Sequence, residues 1–575
     1  MRLLPALLVP LLLVGCATVS TTSIVLSPEE QNAISLSADG KYRDAALAWQ
    51  ALADAARSPA RDRALVFAAD AWDRAGDKDK ALQTLAQANR RKLQGDGALL
   101  HDLLSAQFMI DAGRGGEAVP LLGQSRDSVP TSLRARWHGL RARAFEAAGM
   151  YFETAGEQAW LLQGLSPRER SAGARNIDRQ LGRLDSQSLS QRSASMNPAD
   201  PLYPFVAREL GKRGLPLPFP LPRAGLALTQ GFPPAERDGY RPPEKLAVLL
   251  PASGSLASAG ASVRDGILAA YYAETRRRPE IRFYDSAGTA AGAQKAAKQA
   301  AADGAQLILG PLAREEVNGL TDGNEPGIGV VALNRGQNTA PGSINFALTP
   351  DEEGLVTADR LIDRGLRRVR VFAQRDDNSQ RALTAFREQL RARGGQIVGE
   401  TLVGDEVGDL SQALQDGKGA EAVFLAVKAP AARLIASQLK TSPMASLPRL
   451  STSLILSGAS ARLDGDLDGI EFPELPWLLD QRSNLPVPDD LAKRMSSARG
   501  PAQRLFAFGM DAWQLAAYLD RLGSDPSFSI RGATGELNLD SFGTVQRNPA
   551  WAVFSGGRPR PAPERALRTE SASGR

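Results

Sequence analysis

A helical solenoid followed by a two-lobed α/β domain is the fold class predicted by three observations. Residues 28–196 are rich in Ala, Leu and Arg and contain an internal repeat. Residues 197–243 interrupt that pattern with clustered prolines. Beyond Glu244, short apolar runs alternate with helix-period segments, as expected of buried parallel strands joined by helical crossovers. The chain of 575 residues is too long for one core, and 43% hydrophobic with 23% charged residues describes folded domains.

At the amino terminus Arg2 precedes an apolar stretch, Leu3 to Val14, broken by Pro5 and Pro10. The stretch is too short to span a bilayer as a helix and suits a secretory leader. Leu13-Val14-Gly15-Cys16 closes it, and Cys16 is the only cysteine. A small residue followed by Cys at a cleavage point is the bacterial lipobox. Residues 1–15 are therefore expected to be a signal peptide, Cys16 the lipidated residue and 16–27 a tether. Each buried methylene adds about 0.8 kcal/mol, so several acyl chains on one residue anchor stably. Ala17 stands where an aspartate commonly retains lipoproteins in the inner membrane. The expected location is the outer membrane, facing the periplasm.

The repeat is aligned on Gly40, Gly76, Gly113 and Gly149, spaced 36, 37 and 36 residues apart. Seven positions before each glycine is an alanine: Ala33, Ala69, Ala106, Ala142. Four before it is a larger apolar residue: Leu36, Trp72, Met109, Phe145. Five after it comes Ala45, Ala81 or Ala118, with the fourth copy slipped to Ala155. Trp49, Leu85 and Leu122 lie nine after it, and Trp160 two positions later in the last copy. The pattern predicts antiparallel helix pairs: glycine ends the first helix, alanines bring the axes together and large residues fill the gaps. It resembles the tetratricopeptide repeat, a solenoid that binds peptides or proteins, or acts as a spacer. Trp49, Trp72 and Trp160 are read as inter-helix core.

From Asn197 to Pro243 prolines dominate, including the alternating Pro216, Pro218, Pro220 and Pro222. Proline fixes its own backbone and lacks an amide donor, so 197–243 is read as a semi-rigid linker with a short helix over Phe205 to Lys212. Residues 244–555 form the α/β domain. Strands are predicted at Leu246 to Leu250, Ile281 to Tyr284, Gln306 to Leu309 and Gly329 to Leu333. A second block has strands at Val369 to Gln374, Gln396 to Leu402, Ala422 to Val427 and Arg449 to Ser453. Helices separate them at Ser262 to Glu274, Ala290 to Asp303, Ser379 to Arg393 and Ala431 to Lys440, and a late helix runs Phe506 to Leu522. Thr534 to Leu539 and Trp551 to Phe554 are read as closing antiparallel strands. The Arg-, Pro- and Ser-rich tail, 556–575, is expected to be disordered.

Composition narrows the chemistry. The formal charge of +5 is spread over the chain with no dense basic run, so nucleic acid is not an expected partner. Two histidines and one cysteine argue against His-based metal sites, catalytic triads and thiol catalysis. No metal and no cofactor are expected. Ser437-Gln438-Leu439-Lys440 matches the Ser-x-x-Lys motif of penicillin-interacting enzymes, but its partner motifs are missing and it falls on a predicted amphipathic helix. It is read as a chance match.

Specific strings bring a family into view. Leu246-Ala247-Val248-Leu249-Leu250-Pro251 leads to Gly260-Ala261-Ser262-Val263-Arg264-Asp265-Gly266. Tyr284-Asp285 follows, then Gly304-Ala305-Gln306-Leu307-Ile308-Leu309-Gly310-Pro311-Leu312. These strings resemble the type I periplasmic binding-protein fold. In combination with a lipobox and a helical repeat domain, the chain resembles the LppC lipoproteins, a family of penicillin-binding-protein activators. The resemblance implies a non-enzymatic outer-membrane lipoprotein that activates a bifunctional peptidoglycan synthase, a class A penicillin-binding protein. The alternative is a periplasmic solute-binding lipoprotein delivering a small molecule to a transporter or sensor.

In open α/β sheets ligands lie beyond the carboxyl ends of strands. Ser253, Ser255, Asn334 and Arg335 in the first lobe, and Asp377 and Asn378 in the second, are thereby the candidate cleft-lining residues. Amino-acid-binding members of the fold often carry Ser or Thr just after the Gly-Pro turn. Leu312-Ala313 stands there instead, which favours a ligand-free cleft, with Arg335 and Asp377 as exposed loop residues.

Overall fold

The computed structural model describes residues 26–563, apart from 166, 220–228, 322–325, 338–342, 416–418, 459, 480–484, 526 and 541. The leader, Cys16 and residues 564–575 lie outside the described residues. Residues up to Gly149 form one compact unit and those from Met150 onward another.

In the first unit the repeat glycines punctuate helices as expected. The helices are α1 (Pro28–Ala38), α2 (Tyr42–Ala55), α3 (Ala60–Arg74), α4 (Lys78–Leu85), α5 (Gly95–Asp111) and α6 (Thr131–Ala147). Gly40, Gly76, Gly113 and Gly149 all take positive φ, between 72° and 83°. The amides of Lys41, Asp77 and Arg114 then reach back to the carbonyls of Leu36, Trp72 and Met109. That bond closes a Schellman cap, which favours glycine at its left-handed position. The repeat alanines Ala33, Ala69, Ala106, Ala45, Ala81 and Ala118 are fully buried, and so are Trp49 and Trp72 apart from a few per cent. Trp160 is half-buried. The third copy departs from the expected pair of α-helices. Its second arm, Gly115–Leu122, is a 3₁₀ stretch because Pro120 sits inside it and cannot donate to an α ladder.

The second unit starts earlier than the boundary expected at residue 196. Its first helices are α7 (Tyr151–Leu162), α8 (Pro167–Gly182), α9 (Ser186–Ala194) and α10 (Tyr203–Lys212). They share a core of Ala155, Ile177, Leu181, Leu189, Phe205 and Leu210, against which Phe542 of the α/β region packs. The described end of the proline-rich segment is packed rather than free. The Arg241 amide donates to the Ala517 carbonyl at 2.7 Å, Thr229 Oγ1 donates to Asp520 at 2.8 Å, and Tyr240 is buried.

The first lobe is built from β1 (Lys245–Leu250), α11 (Ala257–Ala273), β2 (Glu280–Asp285), α12 (Ala290–Ala302), β3 (Leu307–Leu309), α13 (Arg314–Thr321), β4 (Gly329–Ala332) and β5 (Ser343–Asn345). The strands form a parallel sheet in the order β2-β1-β3-β4-β5. The chain then enters the second lobe with α14 (Pro350–Asp363), β6 (Arg368–Gln374), α15 (Asp377–Ala392), β7 (Gln396–Val403), α16 (Ser411–Gln415), β8 (Ala422–Ala426), α17 (Ala429–Lys440), β9 (Arg449–Ser451), α18 (Ala461–Asp464) and β10 (Ile470–Glu474). It returns through α19 (Pro488–Arg494) to α20 (Gln503–Ser524). Gly266 and Gly509 let α11 and α20 touch: a Cβ on Gly266 would lie 1.9 Å from the Phe506 carbonyl oxygen. Alanine there would force the helices apart.

A small antiparallel sheet, β11 (Ile530–Arg531), β12 (Glu536–Leu539) and β13 (Val545–Asn548), leads to β14 (Ala550–Ser555) and β15 (Arg558–Pro561). The last two complete the second sheet, in the order β15-β14-β10-β9-β8-β6-β7. β15 pairs with β14 across residues expected to begin the disordered tail. Each large sheet is covered on both faces, by α11 with α20 and by α12 with α13 in the first lobe, and by α14 with α15 and by α17 in the second. Continuous apolar strands are the sequence consequence of two-sided burial.

Candidate functional site

The cleft candidates do not assemble into a common site. Ser253 is exposed and donates through Oγ to Asp285 at 2.7 Å. Asp285 also accepts from the amides of Ala252 and Ala287, so its hydrogen bonds, that from Ser253 foremost, hold its carboxyl below the usual range. Ser255 is exposed. Asn334 donates to the Leu312 carbonyl at 2.9 Å and accepts from the Arg335 amide at 2.9 Å, which makes it a loop brace. Asp377 and Asn378 are exposed at the start of α15, and Asp377 lies 3.7 Å from Arg381 of its own helix. Among the described residues no hydrogen bond or ion pair joins the four first-lobe candidates to the two in the second.

Arg335 corrects the sequence reading. It is 8% exposed, and its guanidinium donates to Glu352, itself 2% exposed. The turn after Gly310-Pro311 is also braced from within. The Ala313 amide donates to Glu316 at 2.8 Å, and burial raises the pKa of that fully buried carboxyl. In the Ser-x-x-Lys match Ser437 is exposed on α17, and Lys440 pairs with Asp466 at 2.6 Å.

The densest chemistry lies where the chain crosses between lobes. The first crossing leaves the first-lobe core at Phe346 and enters α14, the second runs from β10 to Leu475 and Trp477, and the third runs from β13 to β14. At each crossing stands a buried charge. Glu352 and Glu353 open α14, Glu474 ends β10 and Arg547 lies in β13. Arg335 and Arg504 reach in from the first lobe. Arg504 donates to Glu353 at 2.9 Å and to Glu474, while Arg547 Nε lies 3.4 Å from Glu352, close enough for ion pairing. Ser453 donates to Glu353 through both its amide and its hydroxyl.

All three carboxylates therefore belong to the second lobe, and all three cations to the first lobe or the small sheet. Burial drives Glu474 toward its neutral form, against the pull of Arg504, and lowers the pKa of Arg547. Removing either partner of such a pair would leave a buried charge uncompensated. Among the described residues no cluster of His, Cys, Asp and Glu is arranged to hold a metal ion.

Helix α8 lies against this crossing region. Arg175 donates to the Arg547 carbonyl at 2.6 Å and to Asn548 at 2.8 Å. One turn on, Arg179 pairs with Asp359 of α14 at 2.6 Å, and Gln389 of α15 reaches Asn176 at 3.1 Å. Arg170 stacks over Phe542, and Arg208 of α10 donates to the Leu539 carbonyl at 3.4 Å. Sequence reasoning found none of these partners. Only the helix start Thr349-Pro350-Asp351-Glu352-Glu353, with a capping hydroxyl, proline and acidic first turn, was available as a signal.

Two α/β lobes crossed three times by the chain, one with a parallel sheet and one with a mostly parallel sheet closed by two antiparallel strands, define a fold of the periplasmic-binding-protein type, here preceded in the chain by helical hairpins. The chain belongs to the family described as "LppC putative lipoprotein", whose model matches residues 240–557. It is 27% identical over 360 residues to a protein of Photobacterium profundum named penicillin-binding protein activator LpoA, covering 56% of this chain and 57% of the relative. A Haemophilus ducreyi protein of the same name is 26% identical over 319 residues, covering 54% and 53%. The chain thus spans little more than half the length of these curated relatives. Crystal structures of full-length LpoA from Haemophilus influenzae superpose with TM-scores of 0.60 and 0.56 at 18% and 17% identity. They cover 90% of this chain and 97% or 98% of theirs, which shows a shared fold from the helical hairpins to the α/β lobes.

Proposed function

We propose that this protein is an outer-membrane lipoprotein, acylated at Cys16 and facing the periplasm, that binds and activates a class A penicillin-binding protein. Family membership over the α/β lobes, with relatives named as activators of penicillin-binding proteins, carries this reading. The lipobox supports the anchor. The protein acts without catalysing, by binding one conformation of the synthase more tightly than another, which an allosteric activator must do. No small-molecule ligand is required. The internal pairing of Arg335 with Glu352 and of the Ala313 amide with Glu316 counts against a solute-binding role, because both would otherwise be first-lobe donors at the cleft.

The direct test captures the synthase from envelope extract on the full chain carrying Cys16→Ser, then assays the captured enzyme for glycan polymerisation and cross-linking. Capture with a raised rate of either reaction is the expected result. Failure to capture any synthase, together with tight binding of a metabolite, would replace this reading with a solute-binding one. Mass spectrometry of the native protein checks the anchor separately, since the diacylglyceryl thioether must sit on Cys16.

A further inference from the structure

The first lobe contains a cavity of about 520 Å³ to which none of the cleft candidates contributes. Its volume lies within the range of about 300–1,000 Å³ typical of small-ligand sites. It opens between α11, α20, β11 and residues 238–240 of the segment read from sequence as linker. Helix α20 is broken where it lines this cavity. Tyr518 leaves helical geometry, at φ −114° and ψ 15°. The Arg241 amide takes the Ala517 carbonyl beside the break, and an inserted donor of this kind is a recognised origin of helix kinks.

Aromatic and charged side chains line it together, and two of the rings are themselves buried. Trp513 is 3% exposed and Tyr240 1%. The rings of Tyr518 and Tyr240 meet edge-on at 5.7 Å, and Phe528 lies 5.7 Å from Tyr518. Both carboxylates in the wall are already engaged. Glu274 and Asp238 accept from Arg276 at 2.7 and 2.8 Å, and the hydrogen bond from Arg276 holds the Glu274 carboxyl below its usual range. Arg521 stacks over Phe528 at 4.1 Å and donates to the Asp238 carbonyl. The wall groups left without a partner among the described residues are the indole N–H of Trp513, the amide of Gln514 and the guanidinium of Arg531. Two of the three can only donate, Gln514 can donate through its amide nitrogen, and Arg531 carries a full positive charge.

We propose that this cavity binds an organic anion with a flat apolar body, its carboxylate taken by Arg531 with Trp513 and Gln514, and its body lying against Tyr518 and Phe528. A planar guanidinium matches a carboxylate through paired donors, and aromatic walls supply area without needing a charged partner. The site is independent of the activator reading, because it needs neither the synthase nor the lipid anchor.

Calorimetry and saturation-transfer NMR on the full chain carrying Cys16→Ser test it, with indole-3-propionate as the anionic probe and tryptamine as its cationic counterpart. Indole-3-propionate is expected to bind, and tryptamine to bind at least about tenfold more weakly, the ratio expected from one charge-assisted hydrogen bond. Arg531→Gln should weaken the acid by a similar factor, and Ala273→Trp, which fills the mouth, should abolish binding. Both replaced side chains are exposed, so unchanged thermal melting certifies the fold. No binding of the acid at millimolar concentration, equal affinity for acid and amine, or full affinity retained in both variants would each overturn the site.

Discussion

Each of the two compact units is held together internally by its own kind of contact. In the first, polar cross-links join neighbouring hairpins. Arg63 to Glu30, Lys78 to Asp111, Gln107 to Asp73 and Arg143 to Asp111 each span 32 to 34 residues, close to one repeat. In the second, the decisive links span 100 to 373 residues, as between Ser453 and Glu353, Arg504 and Glu353, or Arg175 and Asn548. A solenoid distributes its stability among nearest neighbours, so damage there stays local. The crossing region gathers remote segments around buried charges, so a single loss strands several groups at once.

The comparison breaks most visibly at Glu352. Glu352→Ala leaves Arg335 and Arg547 buried without their carboxylate and should destabilise the second unit by about 3–5 kcal/mol in urea unfolding. The first unit's transition should not move, and a shift in both would erase the distinction.

Next in size is a pH effect confined to the second unit. Burial pushes the Asp511 carboxyl up to about 6 from 3.8, although Thr534 and Ala533 donate to it. The folded state therefore holds this proton more tightly than the unfolded chain. Stability from this group is full below pH 3.8 and is lost as pH rises toward 6, by on the order of 2–3 kcal/mol. Asp511→Asn should remove that slope, measured as the difference between variant and parent from acid to neutral pH.

A double-mutant cycle between Arg179 and Asp359 tests whether α8 belongs energetically to the second unit, with a coupling of about 1–2 kcal/mol expected. In the solenoid Gly76→Ala places a side chain at φ 83° and should cost about 1 kcal/mol, seen only in the first transition. Lys78→Ala should matter least. Lys78 is 63% exposed, and an exposed pair of this kind contributes under about 1 kcal/mol.

The same contrast governs what could be read from the chain. Gly40 to Gly149 and their flanking alanines were legible because each hairpin solves the same packing problem at the same register. The central strands β1, β3, β4 and β8 were legible because burial on both faces leaves unbroken apolar runs, whereas β5, β10 and β13 were not anticipated. Helix α14 was not legible although Thr349-Pro350 marks its start, since Asp351, Glu352 and Glu353 look like a solvated acidic turn and are in fact buried. Arg335 was expected in solvent for the same reason. A charge reveals its burial only through its partner, and these partners lie in segments with no periodic relation to one another. The cavity beside Tyr518 was hidden because prolines around Pro233 and Pro242 suggested a spacer, whereas Tyr240 and Arg241 are held by α20 and its surroundings.

The threefold passage of the backbone between the lobes limits how this molecule can be divided. Neither lobe is contiguous in sequence: the first sheet lacks its covering helix α20 in any fragment that ends before residue 503, and the second lacks β14 and the edge strand β15 in any that ends before residue 550. A premature stop between residues 475 and 503 would remove the cations of Arg504 and Arg547 while retaining the acids they neutralise. Partial products should be recognised as misfolded and degraded, and during synthesis the second lobe can close only after almost the whole polypeptide has emerged.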